Sequence, residues 1–154
     1  MNIRNSAKAV ILQHGQLLLT KNRDAEGFFY IFPGGGQDHG EALTNTVKRE
    51  CLEEVGAFVE VRQLLHIREY IGKNHEYQAF DSGVHQIEYY FLAELRHGEN
   101  EWARPTNPDS NQVGIDWVEV AKLADYRIYP KAIVPALQNF VGNKQAAFYL
   151  GDVN

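Results

Sequence analysis

Gly35-Gly36-Gln37-Asp38-His39-Gly40-Glu41, seven further residues, and then Arg49-Glu50-Cys51-Leu52-Glu53-Glu54-Val55-Gly56-Ala57 set the reading of the whole chain. From Glu41 to Val55 there is no Gly or Pro, and Leu43, Val47, Cys51 and Val55 repeat at every fourth position as one apolar stripe. That is the periodicity of an amphipathic helix, and Gly56 stands where a left-handed C-cap residue ends one. Each step turns a helix by about 100°, so Glu53 lies about 60° to one side of Glu50 and Glu54 about 40° to the other. Three carboxylates then share one arc. Such like charges repel, each i,i+4 pair weakening the helix by ~0.2–0.5 kcal/mol, and the macrodipole near the C-terminal end adds to the cost. A hard divalent cation is the natural compensation, because Mg²⁺ takes oxygen ligands and keeps waters that leave room for a phosphate. Taken alone, the same pattern also suits a solvated acidic face with Lys48 and Arg49 as ion-pair partners.

Working outward, residues 7–12 and 17–20 are apolar runs around the turn Gln13-His14-Gly15-Gln16, a β-hairpin pattern. Residues 28–32 form a third short strand, stopped by Pro33-Gly34-Gly35-Gly36, which is expected to continue neither strand nor helix. Glycines there let backbone N–H groups approach an anion, and they serve a simple turn equally well. Downstream, residues 58–70 and 84–95 read as two longer strands around a polar loop over 71–83. A second irregular loop covers 97–112, followed by a strand at 113–118, at most a short helix at 120–124, and a last helix over 131–141 that Pro135 kinks or delays. Strands on both sides of a central helix indicate an α/β (α+β) fold with a mixed sheet covered by helices.

At 154 residues, 44% of them hydrophobic, the chain suits one domain over 1–154 and is too short for two ordinary ones. The formal charge of −5 argues against a protein that grips nucleic acid backbones. Cys51 is the single cysteine, so an internal disulfide is excluded, which suits a reducing cytoplasm. The apolar run after Arg4 and Lys8 breaks at residues 13–16, too early for a signal-peptide core, and nothing approaches the ~20 apolar residues needed to span a bilayer. The expectation is a cytoplasmic protein without a membrane anchor.

The joint spacing decides between the two readings of the helix. It resembles the Nudix box, G-x5-E-x7-R-E-U-x-E-E-x-G-U with U aliphatic, and Gly35, Glu41, Arg49, Glu50, Glu53, Glu54 and Gly56 all fall on its fixed positions. Cys51 and Ala57 depart from it at aliphatic positions, and Cys51, on the apolar stripe, reads as a small buried hydrophobe. Gly15 with Leu17-Leu18-Leu19, the run from Tyr30 to Gly35, and Trp117 are similar to the family's flanks.

The resemblance implies an α/β/α sandwich and hydrolysis of a diphosphate linkage in a small nucleotide-type substrate, with Mg²⁺ or Mn²⁺ as cofactor. It implies Glu50, Glu53 and Glu54 as metal ligands, with Glu41 either joining them or capping the helix. Glu53, Glu50 and Arg49 are the implied catalytic residues, Arg49 by orienting a glutamate. Gly34, Gly35, Gly36 and Tyr30 are candidates for substrate binding, and Phe28, Phe29 and Tyr77 for stacking on a base. Glu53, Glu76 and Glu88 remain open as general base. No subfamily marker falls in place after the box: residues 71–77 hold no proline, and Tyr70 and Tyr77 miss the tyrosine position. Two other readings stay open, a Nudix-like nucleotide or nucleotide-sugar binding module without catalysis, and isomerisation of an allylic diphosphate. A homodimer is compatible with the sequence.

Overall fold

The computed structural model describes residues 2–96 and 105–154, so the 97–104 part of the expected second loop lies outside the described residues. In chain order the elements are β1 (Arg4–Gln13), β2 (Gln16–Asp24), β3 (Gly27–Ile31), β4 (Gly34–Gly36), α1 (Leu43–Val55), β5 (Val59–Ile71), α2 (Gln78–Asp81) and β6 (His85–Leu95). They continue with β7 (Gln112–Glu119), β8 (Ile128–Tyr129), α3 (Ile133–Val141) and β9 (Tyr149–Asp152).

Side-chain alternation along β1 builds two cores at once. Ala7, Ala9 and Ile11 pack with Val47, Cys51 and Val55 of α1, while Val10 belongs to a second cluster with Ile133, Val134 and Leu137 of α3. Successive residues of a strand point to opposite faces, so this split places the two helices on either side of the sheet. The strand order is β8-β3-β2-β1-β6-β5-β9, with β4 added on β1 and β7 on β2. The β1–β6, β3–β8 and β5–β9 pairs are parallel and the others antiparallel, so the sheet is mixed as expected. β5, β6 and β7 end within one residue of the runs read from the sequence. Among the described residues no helix is long and apolar enough to cross a membrane.

What positions the site is a fork in the sheet. β1 pairs with β2 only at Leu12↔Leu17 and Gln13↔Gln16, and on the same edge its first half pairs with β4 through Ser6↔Gly36, Ala7↔Gly35 and Lys8↔Gly34. The glycine triplet is therefore a strand, where the sequence pattern indicated a break. Intrinsic preference is overridden because the missing side chains leave room for others: Cβ atoms at Gly35 and Gly36 would lie 2.4 Å from Glu50 Oε1 and 2.2 Å from Arg4 Nη2.

Three further differences have local causes. α1 begins at Leu43, after an extended Ala42 (φ −76°, ψ 145°), so Glu41 precedes the helix, where the sequence put it in the first turn. The loop over 71–83 holds the short α2, and the short strands β8 and β9 carry too few residues to show a period. Pro135 falls in the first turn of α3, where its missing N–H has no helical partner to lose.

Candidate active site

The C-terminal end of α1 is built to present its acids. Gly56 adopts φ 67°, its N–H bonds back to the Leu52 carbonyl at 3.1 Å, and the Ala57 N–H bonds to that of Cys51 at 3.2 Å. Two of the last carbonyls are satisfied from outside the helix, Glu53 O by the Asn107 N–H at 3.0 Å and Glu54 O by Gln112 Nε2 at 2.7 Å. Those bonds pin the chain after residue 105 against the helix and bring Asp109 to the same wall. The result is a cavity of about 440 Å³ whose lining includes Glu50, Glu53, Glu54, Glu88, Lys8 and the three glycines of β4.

Arg49 is the hub of this wall. Its guanidinium meets Glu41 and Glu50 at 2.9 Å and Glu53 at 3.5 Å, and its Nη2 donates to the Gly36 carbonyl at 3.0 Å. Its pKa is raised, first by the Glu41 hydrogen bond. The same contact, with Thr46 Oγ1 and the Asp38 N–H also donating, holds the Glu41 carboxyl down at about 2. Glu41 thus anchors Arg49 and does not line the cavity, because its position ahead of the helix turns its oxygens onto those donors.

The other acids face the opposite balance. Glu54 is only 3% exposed, and burial pushes its carboxyl up to about 8 against the Gly34 N–H, which donates to Oε2 at 2.9 Å. Burial also raises Glu50, opposed by the Arg49 hydrogen bond. Among the described residues no three acid, His or Cys side chains already converge into a metal cage. The reason is visible: Arg49 draws Glu50 aside and the Gly34 N–H holds Glu54. The donor set nevertheless fits a hard divalent ion, being all oxygen, part-buried and charge-crowded.

The glycine triplet acts as a frame for these groups. The Gly34 carbonyl accepts from Lys8 Nζ, that of Gly35 from Ser6 Oγ and that of Gly36 from Arg49 Nη2. The Gly34 N–H, which the sequence offered to an anion, is taken by Glu54.

A second cavity of about 540 Å³ adjoins the first and shares Lys8, Gln86 and Glu88 with it. Phe29, Tyr77 and Tyr129 line it, as does Arg127, which Asp24 holds at 2.7 Å. Tyr30 is elsewhere: alternation along β3 turns it into the core against Tyr126, with its hydroxyl on Asp116 at 3.2 Å. Phe28 is 46% exposed beside Lys21 and lines neither cavity. Of the candidate bases, Glu53 and Glu88 reach the acidic cavity, whereas Glu76 is an exposed side chain bonded to Asn154.

Lys8, Arg68 and Gln86 were not singled out from the sequence. Arg68 fixes the buried Glu88 at 2.8 Å. A lysine between the core residues Ala7 and Ala9 was the available signal for Lys8.

Cys51 is fully buried, and burial pushes its thiol far above the usual range. The native protein is expected to resist iodoacetamide at pH 8, and Cys51→Ala to keep most of its activity. Mass spectrometry of the native and denatured protein checks the first, and rapid native alkylation would contradict a purely packing role.

The chain is similar to known proteins in sequence and fold. The NUDIX domain model matches residues 3–138. Among curated proteins, an RNA pyrophosphohydrolase of Helicobacter pylori (strain G27) is 33% identical over 91 residues, 55% of this chain and 56% of that protein. The Nucleoside diphosphate-linked moiety X motif 6 protein of Xenopus laevis is 39% identical over 56 residues, 36% of this chain and 26% of that one. The matched segments thus span between about a quarter and just over half of those relatives' length. Among solved structures, a NUDIX hydrolase from Nitrosomonas europaea superposes with a TM-score of 0.72 at 17% identity, covering 94% of this chain and 93% of that one. A MutT NUDIX hydrolase from Burkholderia pseudomallei gives 0.60 at 27% identity, covering 79% and 86%. With the box residues gathered at the fork of the sheet and the family model spanning most of its length, the chain belongs to the Nudix family.

Proposed function

We propose that this protein is a Mg²⁺- or Mn²⁺-dependent hydrolase that cuts a diphosphate linkage in a nucleotide-type substrate. The observation that carries this reading is the pairing of two cavities: the carboxylates of α1 line one, aromatic side chains line the other, and a common wall joins them. A diphosphate at that wall places its charge beside the acids and its organic part among Phe29, Tyr77 and Tyr129.

Glu50, Glu53 and Glu54 would hold the cation, which supplies neutralisation of the diphosphate and a lowered pKa for water. The chain's own work is orientation. Arg49 fixes Glu50 and Glu53, the Gly34 N–H fixes Glu54, and Arg68 fixes Glu88. In the reaction a water oxygen attacks phosphorus in line, the bridging P–O bond breaks, and the water's proton passes to a base. Glu53 and Glu88 are the candidate bases, a reading supported by their lining the same cavity.

The test is a panel of nucleoside triphosphates, ADP-ribose, nucleotide sugars, dinucleoside polyphosphates, coenzyme A and a triphosphorylated RNA, scored for phosphate or nucleotide release. With Mg²⁺ or Mn²⁺ at least one member is expected to turn over, and EDTA is expected to abolish it. Metabolite binding without product after long incubation would favour a binding module instead.

A further inference from the structure

Lys8 stands apart from the paired arginines around the two cavities. Arg49 is paired with Glu41, Glu50 and Glu53, Arg68 with Glu88, and Arg127 with Asp24 and Glu26. Their charges are already met by carboxylates. Lys8 Nζ makes one hydrogen bond, to the Gly34 carbonyl at 3.2 Å, and among the described residues no carboxylate pairs with it. An ammonium carries three donors, so two remain for something else. The half-buried Lys8 also lines both cavities, as only Gln86 and Glu88 do besides among the described residues.

Its reach is set by the sheet. Lys8 sits opposite Gly34 in the β1–β4 ladder, and a Cβ at Gly34 would come 2.9 Å from Lys8 Cδ. The lysine stem therefore lies across bare backbone and delivers its head to the shared wall. A lysine head is a compact, strongly hydrated charge suited to phosphate, whereas a guanidinium is shaped for bidentate pairing.

We propose that Lys8 is a phosphate-contacting residue that holds the substrate's diphosphate across the wall between the carboxylate cavity and the aromatic cavity. This rests on the diphosphate reading above and adds a residue that has no role in the box. Arg4, which also lines the acidic cavity and has no carboxylate partner among the described residues, lies at its Gly36 end, is exposed and does not reach the aromatic cavity. The contact that joins the two halves of a substrate therefore falls to Lys8.

The bland role for Lys8 is to tie β4 down and balance Glu50 and Glu54. The two roles separate by calorimetry with imidodiphosphate, a non-hydrolysable diphosphate, in saturating Mg²⁺, on the wild-type protein, Lys8→Met, Lys8→Arg and Arg4→Ala. Lys8→Met keeps the stem and loses the charge, and it is expected to weaken imidodiphosphate binding about tenfold or more, one lost charged contact. Lys8→Arg is expected to recover most of that loss. Mg²⁺ binding alone is expected to be unchanged or tighter in Lys8→Met, since a positive charge leaves the acids' neighbourhood.

Unchanged imidodiphosphate binding in Lys8→Met, a larger loss in Arg4→Ala than in Lys8→Met, or no binding by the wild-type protein overturns the proposal. The binding arm needs no turnover. Binding that depends on Lys8 together with a silent substrate panel would defeat the hydrolase reading and leave this contact standing.

Discussion

Gly35→Ala is expected to leave a folded protein with at least about a hundredfold less activity, whereas Gly34→Ala, one residue earlier, is expected to cost the fold itself. At Gly35 the three atoms nearest an added Cβ all belong to Glu50, with Oε1 at 2.4 Å and Cδ at 2.6 Å, the far end of a flexible side chain. The backbone need not move. Glu50 must swing off its Arg49 contact, and a displacement of about 1 Å in a positioned catalytic group can cost on the order of 10²-fold. At Gly34 the new Cβ would lie 2.2 Å from the Ala7 carbonyl oxygen and 2.7 Å from Lys8 Cα, on a residue at φ 145°. Neither neighbour can yield without parting β4 from β1, and a loss of about 3 kcal/mol or more follows. Circular dichroism melts and the substrate panel check both variants. Equal melting temperatures for the two, or full activity in Gly35→Ala, would defeat the account of β4 as the frame for Glu50.

That contrast also marks what the sequence could carry. The acidic face of α1 was legible because helical period, the C-cap glycine and box spacing all act within one short stretch. The long strands were legible because β-branched, aromatic and aliphatic residues are dense along β5, β6 and β7 between polar loops. The glycine strand was not, since Gly34–Gly36 pair with β1 only because Glu50, Arg4 and Lys8 lie where Cβ atoms would be, and that fit is tertiary. Tyr30 was misplaced for a related reason: alternation separates Phe29 from Tyr30, but only the packed sheet shows which face of β3 meets the cavity. Lys8 sits between the buried Ala7 and Ala9, and Glu88 is a charged residue in the apolar run of β6, which marks both as burdened polar positions, yet their meeting at one wall depends on the parallel β1–β6 pairing.

The other large effect joins stability to chemistry at Glu54. Its carboxyl, pushed up to about 8 by burial, binds a proton more tightly in the folded protein than in the unfolded chain, where its ordinary value is 4.5. The stability this proton confers is full below about pH 4.5 and is lost as pH rises through about 8. At pH 8 without metal the buried group then weighs on the fold by something on the order of a few kcal/mol.

Gln at this position accepts from the Gly34 N–H without ionising. In EDTA at pH 8, Glu54→Gln is therefore expected to melt roughly 5–10 °C above the wild-type protein, with the difference vanishing near pH 4.5. The same variant is expected to lose about a thousandfold or more in turnover, because the carboxylate meant for the cation is gone. Glu53→Gln, on a side chain that is 27% exposed, is expected to lose turnover with no gain in stability. Mg²⁺ is expected to raise the wild-type melting temperature at pH 8 and to do little at pH 5, since only the ionised site repays the ion's desolvation. Melting scans from pH 4.5 to 9, with Mg²⁺ and with EDTA, check all of this. A Glu54→Gln protein that melts below the wild type at pH 8 in EDTA would show that Glu54 serves the fold, and the view of its burial as strain kept for a cation would fall.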